Sequence, residues 1–159
     1  MNVNFIFICE SQLHYLNMRL GNTTKYALEA MAFLIRPHAR EQWAQIAVIA
    51  ETCNIPRKYL EQVLLDLKNA GLVESKKGQH GGYRLSRRPD EISLGEVLAA
   101  VSGELLPLPD WMDEPNPNFP FEAGLRDVVN HARSSMRTIF NATSIEVLVC
   151  RPENWTGVN

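Results

Sequence analysis

Two short stretches of this 159-residue chain carry side chains suited to gripping a polyanion. The first is Arg57-Lys58-Tyr59, with Glu61 and Gln62 close behind. Arginine can hold guanine through two parallel hydrogen bonds, glutamine can do the same for adenine, and lysine or tyrosine can hold a phosphate oxygen. The second runs Lys76-Lys77-Gly78-Gln79-His80-Gly81-Gly82-Tyr83-Arg84. Its cations can neutralise phosphates, and its glycines let backbone approach a narrow groove. His80 is a candidate minor-groove or phosphate contact, although a lone loop histidine is more often merely exposed. Taken alone, the first stretch is equally well read as the solvated face of a surface helix. The basic, glycine-rich second stretch, followed by Arg87 and Arg88, favours nucleic acid.

These residues need elements to position them. Residues 24–35 place Ala27, Ala30, Met31 and Leu34 on one helical stripe, and Pro37 stops the helix. A second helix is predicted over residues 42–52, with Trp43, Ile46, Ile49 and Ala50 on one face. Asn54-Ile55 makes a tight turn, and Pro56 suits the first position of a third helix, residues 56–70. That helix buries Leu60, Val63, Leu64 and Leu67, which turns Arg57, Lys58, Glu61 and Gln62 outward. Gly71 suits a left-handed helix stop. Residues 72–75 and 83–86 read as a β-hairpin whose tip is residues 76–82. The expected fold is therefore mainly α with a small β-hairpin, in the order of a winged helix-turn-helix.

Beyond the hairpin, Ser93 and Glu96 have capping-box spacing and open a helix to about residue 101. Residues 105–120 hold five prolines and read as an irregular loop. A long helix is predicted over 121–140, striped by Leu125, Val128, Val129, Ala132, Met136, Ile139 and Phe140. A second capping box, Thr143 to Glu146, opens a short helix containing Val147, Leu148 and Val149. The predicted organisation is an extension (1–17), a winged helix-turn-helix domain (18–90), a dimerisation and effector region (91–150) and a tail (151–159).

The net charge of −2 conceals a split. Residues 19–90 hold 12 Lys/Arg against 7 Asp/Glu, whereas residues 91–159 hold 4 against 10. A basic functional half carried by an acidic one follows. No run approaches the roughly 18 apolar residues of a membrane span, and residues 4–9 are too short for a signal-peptide core, so the expected location is cytoplasmic. Cys9, Cys53 and Cys150 are odd in number and far apart, unlike a disulfide framework or a CxxC metal pair. Each reads as a free thiol, with a redox role left open for Cys53 because Arg57 and Lys58 are near in sequence. No Ser/His/Asp set, phosphate loop or HExxH pattern is present, and His14, His38, His80 and His131 lack ligand spacing. The chain is read as neither an enzyme nor a metal site.

Tyr59-Leu60-Glu61-Gln62, Gly71-Leu72-Val73, Gly81-Gly82-Tyr83-Arg84-Leu85 and Gly95-Glu96-Val97 together resemble the BadM/Rrf-type family of bacterial regulators. Met18-Arg19-Leu20 and Tyr26-Ala27 match the family's N-terminus, and the similarity covers about residues 18–150. Relatives include an iron–sulfur-assembly regulator, a nitric-oxide sensor and a cysteine-metabolism regulator. The resemblance implies a homodimer on an inverted-repeat operator. The 56–70 helix would enter the major groove and the wing tip the minor groove, with the 121–140 helix crossing its partner's copy. Cluster-binding relatives carry three cysteines after the Gly-Glu-Val helix, yet residues 104–124 contain none, and Lys25 stands where one relative has an acidic ligand. Thiolate ligation of an iron–sulfur cluster is therefore not expected. Trp111, Met112, Phe119 and Phe121 could line an effector pocket or a partner-binding surface; packing of the loop onto the dimer helices is the simpler reading. The resulting expectation is a DNA-binding transcription regulator, a repressor before an activator. The alternative is a winged-helix adaptor that binds protein.

Overall fold

The computed structural model describes residues 21–36, 42–102 and 120–149. Helix α1 (Asn22–Ile35) buries Ala27, Ala30, Met31 and Leu34 completely, as its stripe predicts. The buried Thr24 hydroxyl meets its hydrogen-bonding need through Ser102 Oγ at 2.5 Å. Helix α2 (Ile46–Thr52) sends Ile49 into the core. Asn54 then takes φ 51°, a left-handed conformation that asparagine tolerates, and Ile55 tucks under with its N–H on the Ala50 carbonyl at 2.9 Å.

Helix α3 (Arg57–Asn69) buries Leu60, Val63, Leu64 and Leu67 against α1. Each such side chain contributes about 1.5–3 kcal/mol by leaving water. Pro56 is the cap preceding α3 rather than its first residue, and no side chain caps this end. Gly71 adopts φ +73°, with its N–H on the Lys68 carbonyl and that of Leu72 on the Leu67 carbonyl, which closes α3 as expected. Strands β1 (Val73–Lys76) and β2 (Gly82–Leu85) pair antiparallel, with Val73 opposite Leu85 and Ser75 opposite Tyr83.

The second helix is shorter than its periodicity suggests. Ala44 is extended and exchanges both backbone hydrogen bonds with Tyr83, at 2.9 and 2.8 Å, so residues 43–45 serve as an edge segment of the wing. Trp43 consequently lies outside α2 and outside the hydrophobic core. Tyr83 of β2 thus has both its backbone groups paired with Ala44, on the side of the strand away from β1.

A 3-10 turn (Pro89–Glu91) leads into helix α4 (Leu94–Ser102). Ser93 and Glu96 form the predicted capping box: the Ser93 N–H donates to Glu96 Oε2 at 2.9 Å, and the Glu96 N–H to Ser93 Oγ at 3.2 Å. Helix α5 (Pro120–Ala142) is followed by helix α6 (Ile145–Val149). The predicted Thr143–Glu146 capping box does not form, and a one-sided cap by Ser144 replaces it. The Thr143 hydroxyl donates back to the Ile139 carbonyl at 2.8 Å, and Ser144 Oγ accepts from the Val147 N–H instead. Two backbone bonds, Leu94 N–H to Thr143 O at 2.7 Å and Ile145 N–H to Ile92 O at 2.9 Å, tie this corner to the start of α4. The site of Gly95 lies so close to the Asn141 side chain that a Cβ there would overlap it.

Candidate nucleic-acid interface

Along α3 the buried Leu60-Val63-Leu64-Leu67 stripe leaves Arg57, Lys58, Tyr59, Glu61 and Gln62 exposed, as the period predicts. Tyr59 is 62% exposed, and its ring stands 6.4 Å from that of Tyr26, tilted by 40°. Arg57 Nε donates to Glu61 Oε1 at 3.1 Å, and Gln62 Nε2 to Asp66 Oδ1 at 2.9 Å. These exposed pairs lay both recognition candidates along the helix surface at little energetic cost to displace. The uncapped N-terminus adds backbone N–H groups and a partial positive charge, both favourable to phosphate.

The wing presents Lys76, Lys77, Gln79 and His80 to solvent. The ion pairs among the described residues engage none of Lys58, Lys76 and Lys77. The two glycines act within the protein. Gly81 is buried, with its Cβ position occupied by the Lys76 backbone, and Gly82, at φ +155°, abuts the Ala44 backbone. Tyr83 is half-buried and packs its ring on the core.

Three arginines near the wing are already paired. Arg84 donates to Glu74 Oε2 from Nε at 3.0 Å and Nη2 at 2.9 Å, and its guanidinium lies 4.4 Å from the centre of the Trp43 ring. Arg87 pairs with Glu96 at 2.6 Å and Arg88 with Asp90 at 2.5 Å. The backbone N–H of Ser93, with Arg87 beside it, holds the Glu96 carboxyl below its ordinary range. Trp43, Gln45 and Glu74 escaped sequence reasoning because their partners lie across the sheet. The one available signal was a tryptophan just ahead of a helix.

Cys53 is a free, half-buried thiol, as read from the sequence, and its surroundings weigh against the redox role left open for it. Its thiol donates towards the Glu29 carbonyl at 3.6 Å, and burial followed by the Glu29 charge pushes its pKa up, against a smaller opposing influence of Arg36. That is the opposite of an activated thiol. Lys25 pairs with Glu29 at 3.7 Å. Among the described residues, no three His, Cys, Asp or Glu side chains converge as metal ligands. Phe121 is 65% exposed on α5, whereas Trp111, Met112 and Phe119 lie outside the described residues, as do the extension, the 105–119 loop and the tail. No helix among the described residues is long and apolar enough to cross a membrane.

A helix-turn-helix whose second helix carries an exposed basic N-terminus, followed by a basic hairpin, defines a winged helix-turn-helix protein. Residues 20–151 match the Rrf2 family, described as iron-dependent transcriptional regulators, and the chain belongs to that family. The HTH-type transcriptional regulator CymR of Bacillus subtilis is 31% identical over 82% of this chain and 89% of its own. The solved structure of that global cysteine regulator superposes with a TM-score of 0.67 at 30% identity, covering 85% of this chain and 98% of the other. The HTH-type regulator IscR of Aliivibrio salmonicida is 44% identical over 53% of this chain and 49% of its own. A candidate HTH-type regulator of Synechocystis is 40% identical, and the match covers 61% of this chain and 65% of that protein. The chain thus spans less than two thirds of the length of several relatives it matches. The iron dependence in the family description would require metal ligands. The only described cysteine is directed at a backbone carbonyl, and the sequence offers no cysteine between residues 104 and 124, so among the described residues the thiolate set does not fit a cluster.

Proposed function

We propose that this protein is a sequence-specific DNA-binding regulator, acting in the cytoplasm as a homodimer on an inverted-repeat operator, in the first instance as a repressor. The observation that carries the reading is the exposed row Arg57, Lys58, Tyr59, Glu61 and Gln62 at the uncapped start of α3, held out by a fully buried leucine-rich stripe. On DNA, Arg57 exchanges Glu61 for a guanine edge and Gln62 exchanges Asp66 for adenine, while Lys58 and Tyr59 hold phosphates. Lys76, Lys77, Gln79 and His80 meet the neighbouring groove, with Gly81, Gly82, Tyr83 and Arg84 shaping the wing behind them. The exposed apolar side chains of α5, notably Val128 (67%) and Ile139 (51%), support a self-complementary dimer face. The regulator works without catalysis and without an iron–sulfur cluster; its signal enters as another small molecule or as a partner protein.

Selection of duplexes from a random pool by the full-length protein tests this reading. A recovered inverted repeat, footprinted by the protein and released steeply by added salt, is the expected result. Replacing Arg57 and Lys58 together by alanine should weaken operator binding about 100-fold, at one to three kcal/mol per lost contact, with helicity unchanged. No enriched site at low salt overturns the proposal, and stable capture of a protein in place of DNA would assign the fold to an adaptor.

A further inference from the structure

We propose that Trp43 is a positioning residue for DNA recognition, fixing the wing relative to the helix-turn-helix by serving as the platform for Arg84 and Lys76. The inference rests on the DNA-reading function above and adds a residue that meets no DNA itself. Its first support is topological. Ala44 is hydrogen-bonded to Tyr83 in both directions, so the Trp43–Gln45 segment is joined to the edge of the wing by a β-bridge. Gln45 is also the residue that caps α2. The same three residues therefore belong to both halves of the DNA-binding unit, with no connecting loop between them.

The side chains reinforce this. The Arg84 guanidinium lies 4.4 Å from the Trp43 ring centre, and Lys76 Nζ lies 6.0 Å from it. Arg84 is held from the other side by Glu74, its direct cross-strand neighbour. Glu74, Arg84 and Trp43 thus form one row across all three segments. Gln45 Nε2 adds a bond to the Gln79 carbonyl at 3.2 Å, reaching the wing tip itself. The indole belongs to this arrangement rather than to the core: Ala44, Ile46 and Tyr83 pack on the core cluster, and Trp43 does not.

A two-stranded hairpin alone is marginally stable in water, and a loose one must be ordered when it binds. The indole face attracts both cations through its ring quadrupole, which removes much of that ordering cost before DNA arrives. Arg84 accordingly acts through the wing's posture and Lys76 through both posture and phosphate.

The test uses the full-length chain and the operator recovered by random-pool selection. Trp43→Ala should weaken operator binding about tenfold, while Trp43→Phe, which keeps a ring, restores most of it. Binding to a random duplex of equal length should change much less. In the footprint, protection that also depends on Lys77 should fade, and protection that depends on Arg57 and Lys58 should persist. Amide exchange of Tyr83 in the free protein should quicken in Trp43→Ala alone. Equal affinity and equal footprints for wild type and Trp43→Ala overturn the proposal. So does a uniform loss of footprint that Trp43→Phe fails to restore, because that marks a general folding role. A wild-type chain that selects no operator at all overturns the DNA-reading function, and this role falls with it; an operator bound equally by both proteins overturns the role of Trp43 alone.

Discussion

Cys53 shows how sequence proximity misleads at the scale of one residue. Arg57 and Lys58 are close in number, yet the group that meets the thiol is Glu29 on α1. Burial and that carboxylate both disfavour the thiolate and push the Cys53 thiol up from its ordinary range. In a chain carrying Cys9→Ser and Cys150→Ser, Cys53 should alkylate more slowly than a free thiol at neutral pH and accelerate only at a higher pH than that thiol does. Glu29→Gln should speed it. Alkylation as fast as that of an unstructured cysteine peptide would contradict this. The exposed row of α3, by contrast, was legible from sequence alone, because a buried i, i+3, i+4, i+7 stripe determines which side chains face out. The pairing of Arg84, Arg87 and Arg88 was not legible, since Glu74 and Glu96 reach them only through the strand register and the folded corner.

At the scale of elements, the wing is where reading and structure part most. The hairpin was readable from Gly81-Gly82 and its flanks, but the third segment was hidden within an apparent helical period. Trp43, Ile46, Ile49 and Ala50 fit one helical face, and nothing local reveals that Ala44 gives both backbone groups to Tyr83. Gly82 records that pairing. At φ +155° with Ala44 against it, Gly82→Ala should cost about 1–3 kcal/mol and open the wing. Gly78, at φ +109°, has open space around it, so Gly78→Ala should cost less. Urea denaturation of the two variants, with amide exchange at Tyr83, compares them; equal effects would mean that the third segment is not held closely. The one-sided cap at Ser144 has a similar origin, because Thr143 spends its hydroxyl on the preceding helix.

At the scale of the whole molecule, the fold class and the order of elements were legible, since periodicity, Gly71 and the Ser93–Glu96 capping box agree. The proposed dimer rests on resemblance and, within a single chain, on the exposed apolar side chains of α5. Val128→Glu with Ile139→Glu should place charges on that face, yield monomers in sedimentation and reduce operator affinity at least tenfold, while α3 stays folded. A dimer that survives both changes would move the contact elsewhere. The corner between α4 and α5 bears on what such a dimer can do. At 23 residues, α5 is about 35 Å long. Its foot is clasped by the Ile92–Ile145 and Leu94–Thr143 bonds and by the close seat of Asn141 over Gly95. Such a clasp makes the long helix a lever instead of a tether. A rotation of the long helix would therefore reach the start of α4, where Glu96 holds Arg87 at the base of the wing.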